Sequence, residues 1–253
     1  MIAASFFATS ANAGVVRVFD SGFIAGSNLI TFDEFPLATV NPTYTSSDYM
    51  ANGGVPGDPT VTFGGFFLGQ SLTVDPGNDC PLGAPTACVV GNPDAPLTLD
   101  SASPSTQIAM DGASVNSPVL SGSPLFDGPV AVHFDMDLAA VGFDAGFLDG
   151  IGSMAITAYD RDGNNLGSVT NVGRGFEFLG LQTDDGMERI AGVLFSVVGF
   201  EPSGFAIDNL RFALEGEVTD PEVQIPEPQA LMLFLAGLLG LVVLTWRRQP
   251  RGQ

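Results

Sequence analysis

Apolar residues in this chain fall in short alternating runs broken by Gly, Asp, Asn and Pro, and few stretches carry the 3.6-residue period of a helix. Alternation of period two puts successive side chains on opposite faces of a strand, so the pattern predicts an all-β fold, a single β-sandwich. Val130 to Leu138 sets Val132, Phe134, Met136 and Leu138 against Ala131, His133, Asp135 and Asp137, a strand with one buried and one polar face. Val141, Phe143 and Ala145 continue in a second run, with Asp144 facing away. Residues 153–159 and 166–172 flank Asp160 to Asn165 and read as a hairpin, with Asp162-Gly163 as its turn. Ile190 to Val198 is apolar on both faces, as a central strand should be. Phe outnumbers Tyr and Trp, at 20 against 3 and 1, so the core is expected to be packed with phenylalanine.

The last run breaks its own alternation. Phe205 and Ile207 share one parity, whereas Leu210, Phe212 and Leu214 share the other. One regular strand cannot bury both sets, and a β-bulge at Asp208-Asn209 would reset the phase. Earlier, Glu34 shares parity with Ile30 and Phe32, an odd place for a charge. If the first and last strands are neighbours, Glu34, Asp208 and Asn209, with Asp33 as an alternative, offer hard oxygen ligands for a structural Ca²⁺ ion. The competing reading is a strand end and a bulge with satisfied hydrogen bonds. No cofactor is otherwise required.

Charge narrows the function. There are 28 acidic residues against eight basic ones, all eight are Arg, and the net charge is -20. Nucleic-acid binding needs clustered cations and is excluded as an expectation. Eleven residues in, Ala11-Asn12-Ala13 has the small-x-small form of a signal-peptidase site behind a short apolar run, but without a basic start. Residues 1–13 therefore read as a partial signal peptide. At the other end Ala230 to Trp246 carries no charge, and its 17 residues reach about 25 Å as a helix, near the lower limit for a bilayer. Arg247, Arg248 and Arg251 follow at once and stay inside by the positive-inside rule, which leaves the acidic bulk outside. The expected order is a β-sandwich ectodomain over 14–218, an acidic linker over 219–225, and a C-terminal segment over 226–253 with one transmembrane helix.

That segment opens with Pro226-Glu227-Pro228. The tripeptide, the apolar span and the arginine cluster together resemble the PEP-CTERM sorting signal of exported Gram-negative proteins, which exosortase recognises. The resemblance covers about the last 28 residues. It implies an envelope protein, anchored in the inner membrane until it is processed near the tripeptide and sent to the cell surface or beyond. Residues 159–164, Phe178-Leu179-Gly180 and residues 205–210 resemble the jelly-roll ectodomains common in such proteins, similar in outline to carbohydrate-binding sandwiches. That likeness spans roughly Val130 to Phe212 and bears on fold rather than activity.

Other candidate chemistry is thin. Cys80 and Cys88 are the only cysteines, and an exported pair is expected to form a disulfide. Zinc lacks the ligands, because His133 is the one histidine. His133 would have to serve any Ser-His-Asp triad, but no Gly-x-Ser-x-Gly elbow accompanies it. Asp135 and Asp137 lie about 6.5–7 Å apart on one strand face, a spacing open to glycosidase carboxylates, while a solvated strand face explains them more simply. Asp160 to Asn164 superficially resembles a calcium loop, and a hairpin turn accounts for the same residues. The leading expectation is a non-enzymatic surface or matrix protein, with extracellular polysaccharide as a partner implied by resemblance. The alternatives are a carbohydrate-binding module, for which Tyr44, Tyr49, Tyr159 and Trp246 are the available aromatics, and a secreted glycoside or ester hydrolase.

Overall fold

The computed structural model describes residues 14–80, 88–111, 117–202 and 204–219. The partial signal peptide, the sorting tripeptide, the apolar span 230–246 and the closing arginines lie outside the described residues. The chain divides into two units, Met1–Pro221 and Glu222–Gln253. Among the described residues no helix is long and apolar enough to cross a membrane.

The strands in chain order are β1 (Val15–Val18), β2 (Asn28–Ile30), β3 (Thr43–Tyr44), β4 (Val61–Gly64), β5 (Ser71–Leu72), β6 (Val89–Val90), β7 (Thr106–Met110) and β8 (Pro118–Gly122). They continue with β9 (Val130–Leu138), β10 (Ala140–Leu148), β11 (Met154–Tyr159), β12 (Asn165–Thr170), β13 (Gly175–Thr183), β14 (Ile190–Val197) and β15 (Ala206–Ala213). A first sheet runs β1-β13-β10-β15-β8-β7, with β2 also on β15. A second runs β12-β11-β14-β9-β4-β3, and β5 with β6 makes a small third. Every pairing among the described strands is antiparallel.

The two large sheets pack face to face through phenylalanine. Phe143 of β10 meets Phe195 of β14 edge-on at 5.0 Å, and Phe134 of β9 meets Phe212 of β15 at 5.6 Å. Such off-parallel contacts add to the area term because ring edges and faces carry opposite partial charge. The hairpin β11–β12 forms where alternation placed it, and the all-buried central strand β14 where the run apolar on both faces placed it.

Register shifts interrupt four of the described pairings, one of them within the β11–β12 hairpin. In β15 the register with β10 moves from Gly142↔Arg211 to Asp144↔Asp208, so the last strand gains a residue where the parity of its apolar side chains changes. Asn209 takes a left-handed φ of 50° there, and both Ile207 and Leu210 stay in the core. In β10 the pairing with β13 slips between Ala145 and Leu148, and Phe147 is left-handed with φ 57°. In β9, Phe134 to Asp137 stand between partners that β14 separates by Ala191 alone.

The bulge in β9 corrects the sequence reading of that strand. Met136 is turned out, 40% exposed, instead of continuing the buried row of Val132 and Phe134. The opposite face is not simply polar either. Ala131 is buried beneath Phe66, Phe67 and Leu97, part of an excursion between β4 and β7 that lies over the second sheet. A Cys80–Cys88 disulfide closes the β5–β6 arm of that excursion.

Candidate functional site

Two stacked sheets have two outer faces. The excursion lies over that of the second sheet. One end of the first is plugged by Val18 and Phe23, packed with Ala140, Ala213, Phe178 and Val218. The rest of that face holds a groove of about 400 Å³, within the size range of small-ligand sites.

Its floor is the stretch where β15, β10 and β13 lie side by side. Asp144 and Asp208 are direct cross-strand partners, which sets their Cβ atoms about 5 Å apart. Phe176 and Phe178 project from β13, Phe147 from the bulge of β10, and Phe126 from the loop after β8. Phe147 and Phe176 are 41% and 60% exposed, their ring centroids 5.1 Å apart. Small residues make room for the rings. A Cβ at Gly146 would stand 2.9 Å from Phe176, and one at Gly142 2.5 Å from Phe178. Among the described residues six non-glycine positions have positive φ, and three of them, Phe126, Phe147 and Asn209, lie in or beside this groove. Bulky side chains rarely adopt that conformation, and such outliers gather at functional sites.

The carboxylates are positioned from the sides. Asp208 Oδ2 accepts from Ser117 Oγ at 3.0 Å and Oδ1 from its neighbour Asn209 N at 2.7 Å. Asn209 Nδ2 donates to Asp144 Oδ2 at 2.9 Å. Burial raises the Asp208 carboxyl to about 6; Asp144 and Asp33 push the same way, against the two hydrogen bonds that hold the anion. Asp111 also lines the groove. Glu177 is engaged elsewhere, accepting from Val172 N and Gly173 N and pairing with Arg17 at 3.2 Å. No arginine lines the groove among the described residues. Ion pairs hold Arg17, Arg161, Arg189 and Arg211, four of the five arginines between Gly14 and Ile225.

The loops at this end are tied by a residue that no motif announces. Glu201, 1% exposed, accepts from Asp149 N at 2.9 Å, Gly150 N at 3.3 Å and Ser153 Oγ at 2.6 Å. It thereby fixes the turn that immediately follows Phe147 and Leu148.

The residues singled out in sequence fall in several places. Glu34 Oε1 accepts from Thr31 N, Thr31 Oγ1 and Asn52 Nδ2, while Oε2 is buried without a hydrogen-bond partner. Asp208 and Asn209 belong to the groove instead. Among the described residues no group of three His, Cys, Asp or Glu side chains is arranged to hold a metal ion. Arg161 grips Asp137 through Nε and Nη2 at 3.1 and 2.6 Å, and approaches His133 Nε2 at 3.4 Å. Burial, then the Arg161 charge, lowers the His133 pKa. Asp135 accepts from Thr60 N at 2.7 Å. Asp160 caps its hairpin turn, accepting from Asp162 N and Asn164 N. Tyr44, Tyr49 and Tyr159 are all buried, so none is a surface platform; phenylalanine takes that place. The exposed rings were missed because Phe was assigned wholesale to the core.

The C-terminus supplies what the groove does not: a class. An exported protein sorted to the cell envelope is what a Pro-Glu-Pro tripeptide, an apolar span and terminal arginines define together. The chain carries the PEP-CTERM protein-sorting motif, whose family model matches residues 224–249. That motif implies processing by exosortase, a membrane enzyme. No curated protein matches the chain.

Proposed function

We propose that this is a non-enzymatic envelope protein whose β-sandwich, jelly-roll-like, is presented outside the cell and binds a surface or matrix polysaccharide. Before processing it is held in the inner membrane of a Gram-negative cell by residues 230–246, with Arg247, Arg248 and Arg251 inside. The observation that carries the binding role is the open sheet face where exposed Phe147 and Phe176 stand beside Asp144 and Asp208. Binding rather than chemistry is supported by the state of the other candidates. Asp137 is bound to Arg161, Asp135 to a backbone N–H, and His133 is depressed by burial. The test is twofold. Fractionation and the mass of the mature protein should show an enveloped or released form cut near Ala13 and near Pro228. A glycan array probed with the protein should give hits without turnover. Intact protein in the cytosol overturns the reading.

A second reading, glycoside hydrolysis, has one specific observation behind it. Asp144 and Asp208 face each other across a strand pair, and Asp208 holds its proton up to about pH 6. That is the division of labour between a carboxylate and an acid in retaining enzymes. Turnover of a glycosidic substrate that Asp208→Asn abolishes would establish it in place of binding.

A further inference from the structure

The groove has a chemical selectivity, and this inference rests on the binding role proposed above. Three properties of its walls act together. Its charge is of one sign: Asp144 and Asp208 stand opposite each other, Asp111 lines the same space, and Asp33 is near enough to perturb Asp208. A ligand that enters must compensate that field, so a cationic one is favoured over a neutral or anionic one. The described side chains do not assemble three carboxylate or imidazole ligands for a metal, and Ca²⁺ wants six to eight oxygens. The compensating charge is therefore that of an organic cation.

The second property is aromatic. Phe147 and Phe176 present a tilted pair of rings to solvent at the groove's edge. Ring faces attract both the C–H face of a saturated ring and an ammonium group. The third is the position of the floor. β15 and β10, which carry the two aspartates, lie inside the first sheet with strands on both flanks. A peptide cannot be captured there by strand addition, which needs a free edge. What remains is a flat, ring-bearing ligand lying on the sheet face.

We propose that the groove of Asp144, Asp208, Phe147 and Phe176 binds a glycan whose sugar rings bear free, protonated amines. The ammonium sits between the two aspartates and displaces water from them, while the pyranose face rests on the phenylalanine pair. Charge-assisted hydrogen bonds of this kind are about twice as strong as neutral ones. N-acetylation removes the charge and replaces it with an amide that cannot satisfy two carboxylates.

The experiment is calorimetric titration of the full chain in detergent with a β-1,4-linked glucosamine tetramer, its fully N-acetylated counterpart and tetralysine. The free-amine tetramer should bind, and the acetylated one about tenfold more weakly or worse. Asp144→Asn and Asp208→Asn should each weaken the free-amine tetramer about tenfold. Phe176→Ala, at a side chain already in solvent, should weaken both sugars without touching the fold by circular dichroism. Equal affinity for the acetylated tetramer overturns the amine selectivity while leaving a glycan-binding role intact. Tighter binding of tetralysine than of the sugar overturns it in favour of a cationic peptide. Absence of binding to both tetramers overturns the site outright. None of these outcomes bears on whether the protein is exported and cleaved, which the mature mass decides separately.

Discussion

Glu201 gives the sharpest test of how the groove end of the domain is held. Its carboxylate accepts two backbone N–H groups and a hydroxyl from the turn after β10 while itself nearly inaccessible. Replacing it by Ala leaves Asp149 N and Gly150 N without this acceptor, whereas Ser153 Oγ keeps its bond to Gly150 O at 2.7 Å. An orphaned donor costs about 1–3 kcal/mol. Two of them, partly reached by water once the side chain is gone, sum to about 3 kcal/mol. In a domain of this size about 1 kcal/mol moves the melting midpoint by about 2–4 °C, so Glu201→Ala should lower it by about 6–12 °C. Glu201→Gln keeps one oxygen and the volume, and should lose roughly half as much. The assay is thermal unfolding followed by near-UV circular dichroism, with the aromatic signal reporting the packing of Phe147 and its neighbours. A midpoint for Glu201→Ala within about 1 °C of the wild type would refute the argument that this carboxylate carries the turn.

The other predictions are shorter. Asp208 has a raised pKa, so the folded state binds its proton more tightly than the unfolded state does. Its contribution to stability is largest below about pH 4 and is lost as pH rises through about 6. Asp208→Asn should therefore melt a few degrees above the wild type at pH 7.5 and show little advantage at pH 4; a gap that does not change with pH counts against the buried charge. Reducing Cys80–Cys88, or replacing both by Ser, should destabilise the β5–β6 arm by about 2.5 kcal/mol from loop closure. Hydrogen exchange at residues 71–73 and 88–90 should rise first, and unchanged protection there would remove the cross-link from the account. Calcium should leave the melting midpoint where a chelator does, since Glu34 Oε1 and both oxygens of Asp208 already accept from Thr31, Asn52, Ser117 and Asn209. A calcium-dependent rise would restore the ion expected from the sequence.

The all-β architecture was legible because burial in a sandwich writes itself into parity. The β11–β12 hairpin lies where alternation placed it and β14 where an apolar run on both faces did, and the clash of parities between Ile207 and Leu210 located a bulge that the register of β15 against β10 confirms. Parity failed in β9, where Phe134 to Asp137 bulge and Met136 leaves the core, because nothing in an alternating run marks an inserted loop of strand. The groove was half visible. Asp144 was read as facing away and Asp208 as an oxygen donor, but that they are cross-strand partners depends on pairing residues 64 apart. Phe147 and Phe176 carry no sequence mark that distinguishes them from buried phenylalanines. The glycines beneath their wall, Gly142 and Gly146, were the available hint: small residues alternating on one face of a strand leave space that something large must fill. Glu201 could be read only as one more acid on an acidic chain, since its donors come from a turn about fifty residues earlier.

β15 is the last strand of the domain, yet it runs through the interior of its sheet, flanked by β10 on one side and by β2 and β8 on the other. A pull applied through Thr219 enters the domain along this strand, past a latch where Val218 bridges Phe23. Force in that direction shears many antiparallel hydrogen bonds together instead of unzipping them one by one. Asp208 sits on the same strand, so force between a ligand in the groove and the C-terminal side loads β15 directly and reaches β10 and β13 through Asp144, Phe147 and Phe176.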